Sequence, residues 1–346
     1  MRKGREGEAV YCFEKAIDIN PGYYPAWLNK GRILYMEGNQ EKAIWCFDRV
    51  INIQPNVYSG WLNKGISLVM LGRLDGALIC VNNVLKISPD NLKALVYKGI
   101  IFEKQGKIAE SKKYYNEVIS LSAESGEDFL ARGLAFEKLG KIEEAVKSYD
   151  MAISLIPEEL DSWLNKGISL LKLKRYNKAI QCFDKVLTMN PNYADVWNFK
   201  GFAIGKLGKH REAIKYYDRA LALNQSHGQA RYNKGVSLSK LGKHIEALQC
   251  FDSAVFYEPE NVSAWLNRGT VQSKLGMGRE ALESFGEAIS IDPEEPEAWH
   301  KRAFELYKEG IIDESISCYK TAYKLAKKQG NDKLAEKMKA IIEELD

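Results

Sequence analysis

Six cysteines, four histidines and a ladder of lysines are the side chains in this 346-residue chain that could bind a metal, attack a substrate or hold an anion. The cysteines (Cys12, Cys46, Cys80, Cys182, Cys250 and Cys318) are separated by multiples of 34 residues. No C-x-x-C pair occurs, so neither a zinc site nor a dithiol redox pair has local support. In stacked 34-residue units, equivalent thiols lie at least a helix-packing distance apart, about 8–10 Å. A disulfide tolerates only about 4.4–6.8 Å between Cα atoms. The thiols therefore read as small packing residues in a reducing compartment. His210 and His244 share one phase of the same spacing and His227 stands between them. None has a cysteine, serine or carboxylate partner at a motif spacing. Paired carboxylates such as Glu143-Glu144 read as solvated helix residues, and the glycines follow the common spacing without forming a phosphate-binding loop. The expectation is a chain that is not an enzyme, with no catalytic, cofactor-binding or metal-binding residue.

That common spacing defines the elements that position every other side chain. Trp27, Trp61, Leu95, Phe129, Trp163, Trp197, Arg231, Trp265 and Trp299 are each 34 residues apart. Four residues further on stand Gly31, Gly65, Gly99, Gly133, Gly167, Gly201, Gly235 and Gly269, then Ala303. A strict period of this length marks one supersecondary unit copied and stacked, which offers extended surfaces instead of an enclosed reaction chamber.

With the first aromatic column as position 4, units begin at Tyr24, Tyr58, Leu92, Gly126, Leu160, Ala194, Gly228, Val262 and Pro296. Positions 4, 5, 8 and 11 make one apolar helical face. Position 15 is Gly38, Gly72, Gly106, Gly140, Gly208, Gly242, Gly276 and Gly310, with Lys174 the sole departure. A glycine there stops a helix because it takes the left-handed conformation without steric cost. A second helix follows, small at position 20 (Ala43, Ala145, Ala213), bulky at 24 (Phe47, Tyr149, Tyr217) and Val or Ala at 27, often closed by proline at 32 (Pro55, Pro157, Pro191). The glycine inside the first helix costs about 0.5–1 kcal/mol per copy. Its recurrence implies a steric demand, and a small residue at 8 is expected to face a small residue at 20, with the aromatics filling the space around them.

W-x-x-x-G, then G-x-x-x-x-A, an aromatic, a small residue and a closing proline at this period resemble the tetratricopeptide repeat. The resemblance implies an all-α fold, a right-handed superhelical solenoid of helix-turn-helix repeats whose first helices line a concave binding face. A departure is the Lys or Arg at position 7 (Lys30, Lys64, Lys98, Arg132, Lys166), which suggests a more polar edge. The expected organisation is a partial repeat over 1–23 holding only a second helix, nine units over 24–329, and a capping helix over 330–346. In the partial repeat, Gly4 falls at position 15. In the cap, Leu334, Met338, Ile341 and Ile342 make one apolar stripe. The junctions before Gly126 and Gly228 lack proline, and Arg231 replaces an aromatic, marking places where the stack could bend.

By the same resemblance, positions 2, 5, 9, 12 and 13 face the groove. Position 9 supplies Ile66, Ile100, Leu134, Ile168, Phe202 and Val236, and position 13 supplies a ladder of Lys104, Lys138, Lys172, Lys206, Lys240 and Lys274. A second basic row, Lys107, Lys141, Arg175, Lys209 and Lys243, lies at the turns. No unit pairs Lys at position 5 with Asn at 9, which disfavours the carboxylate-gripping mode of some family members. The expected function is a protein-interaction scaffold that holds a partner peptide or protein with apolar anchors and acidic flanks. The alternative is an assembly element that self-associates as a homo-oligomer through the N-terminal edge. Net charge is only +4 and most aromatics fall in packing columns, so nucleic acid is disfavoured. No apolar run approaches the roughly 18 residues of a membrane span, and no secretory signal is evident. A cytoplasmic location is the resulting expectation.

Overall fold

The structure is a computed structural model that describes residues 2–345. It divides into two compact units, Met1–Leu173 and Lys174–Asp346. Unit 1 contains α1 (Arg2–Ile19), α2 (Tyr24–Met36), α3 (Gln40–Ile53), α4 (Tyr58–Met70), α5 (Leu74–Ile87), α6 (Leu92–Lys104), α7 (Ile108–Ser120), α8 (Gly126–Lys138), α9 (Ile142–Leu155) and α10 (Leu160–Lys172). Unit 2 contains α11 (Tyr176–Met189), α12 (Ala194–Lys206), α13 (His210–Leu223), α14 (Gly228–Lys240), α15 (His244–Tyr257), α16 (Val262–Lys274), α17 (Gly278–Ile291), α18 (Pro296–Lys308), α19 (Ile312–Lys328) and α20 (Asp332–Leu345). No strand occurs among the described residues. The fold is all-α, built from tandem helical hairpins, each packed on the next within its unit.

The even-numbered helices from α2 to α18 are all 13 residues long, and each begins at position 1 of its repeat. Each of these helices is followed by a residue with positive φ. The glycines at position 15 have φ between 72° and 80°, and Lys174 takes the same left-handed conformation at 57°. Gly4, by contrast, lies inside α1. A glycine permits a reversal but does not compel one.

The role of the glycine at position 8 differs from the sequence expectation. It accommodates the aromatic ring at position 24, not only a small neighbour at 20. A methyl group added to Gly31 would stand 2.6 Å from the Phe47 ring, at Gly201 2.7 Å from Tyr217, and at Gly235 2.8 Å from Phe251. The rings are buried to 2% exposure or less. The residue at position 20 contributes its carbonyl, with Ala213 O 3.2 Å from the same point at Gly201. Gly65 is the variant case, meeting Cys80 and Val81 because position 24 there is valine. Removing the Cβ thus lets a whole ring lie against the facing backbone, and burying that ring outweighs the propensity cost.

The polar position 7 has a specific partner. Lys30 pairs with Glu14 at 2.8 Å, Lys64 with Asp48 at 2.6 Å, Lys200 with Asp184 at 2.6 Å, Lys234 with Asp218 at 2.7 Å and Arg268 with Asp252 at 2.6 Å. Each pair joins a first helix to the second helix of the preceding repeat. The tryptophan at position 4 makes a second tie, its indole N–H donating to the carbonyl of the preceding proline at 2.8–3.0 Å in six copies. Where aromatic and proline are both missing, Arg231 donates to the Gln225 carbonyl at 2.5 Å and keeps the tie. At the other junction without proline, Phe129 keeps the aromatic and the position 7 residue Arg132 donates to the Leu121 carbonyl.

At the C-terminal end, Met338 is fully buried against Tyr319 and Ala322, flanked by Leu334, Ile341 and Ile342. No disulfide joins the cysteines among the described residues; Cys46, Cys80, Cys182 and Cys318 are buried, Cys250 is half-buried and Cys12 is exposed. Burial pushes the Cys46 and Cys80 thiols up to about 11, which fits packing residues held as thiols.

Lys174 holds a conformation that favours glycine. Lys174→Gly is expected to stabilise the fold by about 0.5–1 kcal/mol, read as a higher urea midpoint, whereas Lys174→Ala brings no such gain.

Candidate functional site

The first helices of unit 1 enclose a cavity of about 350 Å³. Every lining residue lies on α2, α4, α6, α8 or α10, or on the residue capping α10. Its apolar floor includes Ile66, Ile100 and Leu134, three of the sequence-selected groove residues, together with Val96 and Leu130. Ile66 is 6% exposed while Ile100 and Leu134 are half-buried. Ile168 is half-buried on α10 but does not line this cavity.

The lysine ladder is only partly free. In unit 1, Lys138 pairs with Glu103 at 3.0 Å and Lys172 with Glu137 at 2.5 Å, so both ammonium groups are neutralised by the preceding first helix. The same carboxylates accept from buried tyrosines: Tyr115 donates to Glu103 at 2.7 Å and Tyr149 to Glu137 at 3.2 Å. These hydrogen bonds and Lys138 hold the Glu103 carboxyl below its usual range despite partial burial. Lys104 forms no ion pair among the described residues.

In unit 2 the ladder is exposed at Lys206, Lys240 and Lys274, and these three form no ion pair among the described residues. Phe202, Val236, Lys206 and Lys240 meet in one cavity of about 340 Å³ on α12 and α14, with Tyr217 and Tyr232 as further walls. The Lys206 ammonium lies 5.1 Å from the Phe202 ring centroid, within cation–π range. A buried amide contact joins the two helices, Asn233 donating to Asn198 at 2.9 Å. Lys274 lines a separate cavity of about 300 Å³ with His300, Phe304 and Lys337. His210 lines the first of these cavities, and His227 lies 3.2 Å from Asp195. Neither arrangement assembles a nucleophile and a base.

Sequence reasoning passed over the carboxylates of the unit 1 cavity: Glu127, Glu159 and Asp161, which share the lining with Lys93, Tyr35 and Tyr97. The signal was available, because Lys93, Glu127 and Asp161 occupy position 2, a groove-facing phase. Burial, then Asp161, raises the Glu159 carboxyl, and burial raises the Asp161 carboxyl even though part of that side chain stays open to solvent.

The chain matches the tetratricopeptide repeat over residues 12–44, 92–125, 129–159, 160–193, 205–249 and 232–296. The chain belongs to the tetratricopeptide repeat family. Among solved structures, it is similar to the APC/C hetero-tetramer Cut9-Hcn1, at a TM-score of 0.56 and 12% identity, covering 99% of this chain and 94% of that one. It is also similar to YrrB, titled a TPR protein with an unusual peptide-binding site, at a TM-score of 0.42 and 25% identity, covering 54% of this chain and 96% of that one. MamA from Desulfovibrio magneticus RS-1 is similar at a TM-score of 0.46 and 20% identity, covering 49% of this chain and 96% of that one. The likeness to Cut9-Hcn1 is one of fold. No curated protein matches the chain.

His300 supplies a pH test of the unit 2 surface. Burial, then Lys337 and Lys301, lowers its imidazole from the ordinary 6.5 to about 4. A depressed histidine stabilises the fold above its unfolded value, and that contribution is lost as pH falls from 6.5 towards 4. His300→Gln is expected to flatten the decline in unfolding free energy, read from urea titrations, across this window by at most about 3 kcal/mol.

Proposed function

We propose that this chain is a protein-interaction scaffold, a binding protein and not an enzyme, whose first helices hold a segment of a partner protein. The observation that carries the reading is the cavity on α12 and α14. There, half-buried Phe202 and Val236 stand beside the unpaired ammonium groups of Lys206 and Lys240. Apolar side chains set next to unneutralised lysines suit a segment with hydrophobic anchors and acidic flanks. Stacked repeats offer such segments an extended surface whose residues are free to vary, because the packing columns lie elsewhere in the unit. Membership in the family supports a scaffold in general; the choice of partner rests on these side chains.

Partner capture by affinity purification with mass spectrometry tests the reading. Phe202→Asp combined with Val236→Asp is expected to reduce capture at least tenfold with helix content unchanged by circular dichroism. Lys206→Glu with Lys240→Glu should weaken capture and reduce its salt sensitivity. Capture that survives the first pair of substitutions excludes this surface.

A second reading has its own observation. On α1, Tyr11 is 60% exposed and Ile19 85% exposed, eight residues apart on one helical face. Such a face suits pairing between two copies of the chain. Sedimentation velocity is expected to show a concentration-dependent dimer that Ile19→Glu abolishes; a monomer at all concentrations rejects it.

A further inference from the structure

We propose that the cavity of unit 1 is a receptor site for a lysine or arginine side chain presented by a partner protein. The inference goes beyond the scaffold reading, which rests on the lysines of unit 2, and assigns this cavity a ligand of the opposite charge.

Three carboxylates, Glu127, Glu159 and Asp161, share the cavity with a single ammonium group, Lys93. None of the four forms an ion pair or a hydrogen bond among the described residues. Acidic residues are common in the first turn of a helix, where they satisfy backbone N–H groups. Here that task is done by others or not done. On α8 the cap is a reciprocal box between Ser125 and Asp128, which leaves Glu127 free of it. Glu159 caps α10 by position, yet its side chain accepts no hydrogen bond. In unit 2 the acids at position 2 do find partners: Asp195 lies 3.2 Å from His227, and Glu297 lies 3.3 Å from Lys301.

Unpaired carboxylates partly removed from water repel one another and call for a cation. Burial already raises the carboxyls of both Glu159 and Asp161, and the negative charges of Asp161 and Glu127 raise Glu159 further. The remaining walls suit a long aliphatic stem that ends in a charge. Ile66, Val96 and Leu134 give an apolar floor that can cover methylene groups. Tyr35 and Tyr97 line the same cavity, and neither hydroxyl makes a hydrogen bond among the described residues. Their rings can face a cation and their hydroxyls can accept from it. A volume of about 350 Å³ admits one such side chain with part of the segment that carries it.

Isothermal titration calorimetry on the full chain tests the site with two blocked pentapeptides, Gly-Leu-Arg-Leu-Gly and the same peptide with Gln in place of Arg. The arginine peptide is expected to bind at least tenfold more tightly at pH 7.5. Glu159→Gln with Asp161→Asn should erase that preference, and Lys93→Gln should strengthen arginine binding several-fold by removing the competing cation. The preference should also shrink as pH falls below 7.5, because burial favours the protonated forms of Glu159 and Asp161 while the raised Tyr35 and Tyr97 hydroxyls stay neutral. Lys206→Glu with Lys240→Glu should leave this result unchanged, which separates it from partner capture by unit 2. Equal binding of the two peptides, no binding of the arginine peptide at millimolar concentration, or a preference that survives the double substitution each overturns the proposal.

Discussion

The interaction on which each hairpin depends is the seating of an aromatic ring against a bare backbone. A ring at position 24 lies where a Cβ at position 8 would stand, as the 2.6 Å approach of Phe47 to the missing methyl of Gly31 shows. A single added carbon at that point would have to displace a fully buried ring. The helix accepts a residue of poor propensity there because dense packing of a large apolar group contributes more than backbone stiffness does. Gly65 makes the same point from the other side: where the bulky residue is Val81, the glycine meets Cys80 and Val81 at 3.2 Å and 3.5 Å, a looser fit.

Between successive hairpins the ties are polar, and they tolerate replacement. An indole N–H reaches a proline carbonyl at most junctions, and at one junction a guanidinium makes the equivalent bond. The shared requirement is a donor of the right length at position 4 and a carbonyl freed by the end of a helix. Arg231 therefore preserves a contact that its chemical difference from tryptophan conceals. The ion pair from position 7 to the acid of the preceding second helix works alongside it, with Lys166 and Arg268 also lying over tryptophan rings at 5.3 Å. Exposed pairs of this kind add little stability one at a time; their repetition fixes the register of one hairpin on the next.

The same register gives the two units different chemistry. Position 13 carries lysines in both units, yet Lys138 and Lys172 are neutralised by Glu103 and Glu137 and Lys308 by Glu305, whereas Lys206, Lys240 and Lys274 meet no carboxylate among the described residues. Position 2 behaves in the opposite sense, with its acids unpaired in unit 1 and paired in unit 2. A repeat scaffold permits this because the packing columns that build the fold occupy different phases from the side chains that face a partner.

The sequence by itself determined the all-α hairpin architecture, the bounds of the 13-residue first helices and the buried columns, because a strict period forces equivalent residues into equivalent places. It also identified Lys174 as an exception, and that residue takes the left-handed turn at φ 57°. The tertiary structure decided which charges remain free. Whether a lysine at position 13 meets a carboxylate depends on a residue at position 12 of the neighbouring repeat, and periodicity within one column carries no record of that distance. It likewise decided that Glu127, Glu159 and Asp161 share one cavity with Tyr35, since residues more than ninety positions apart come together only when helices from successive hairpins stack side by side.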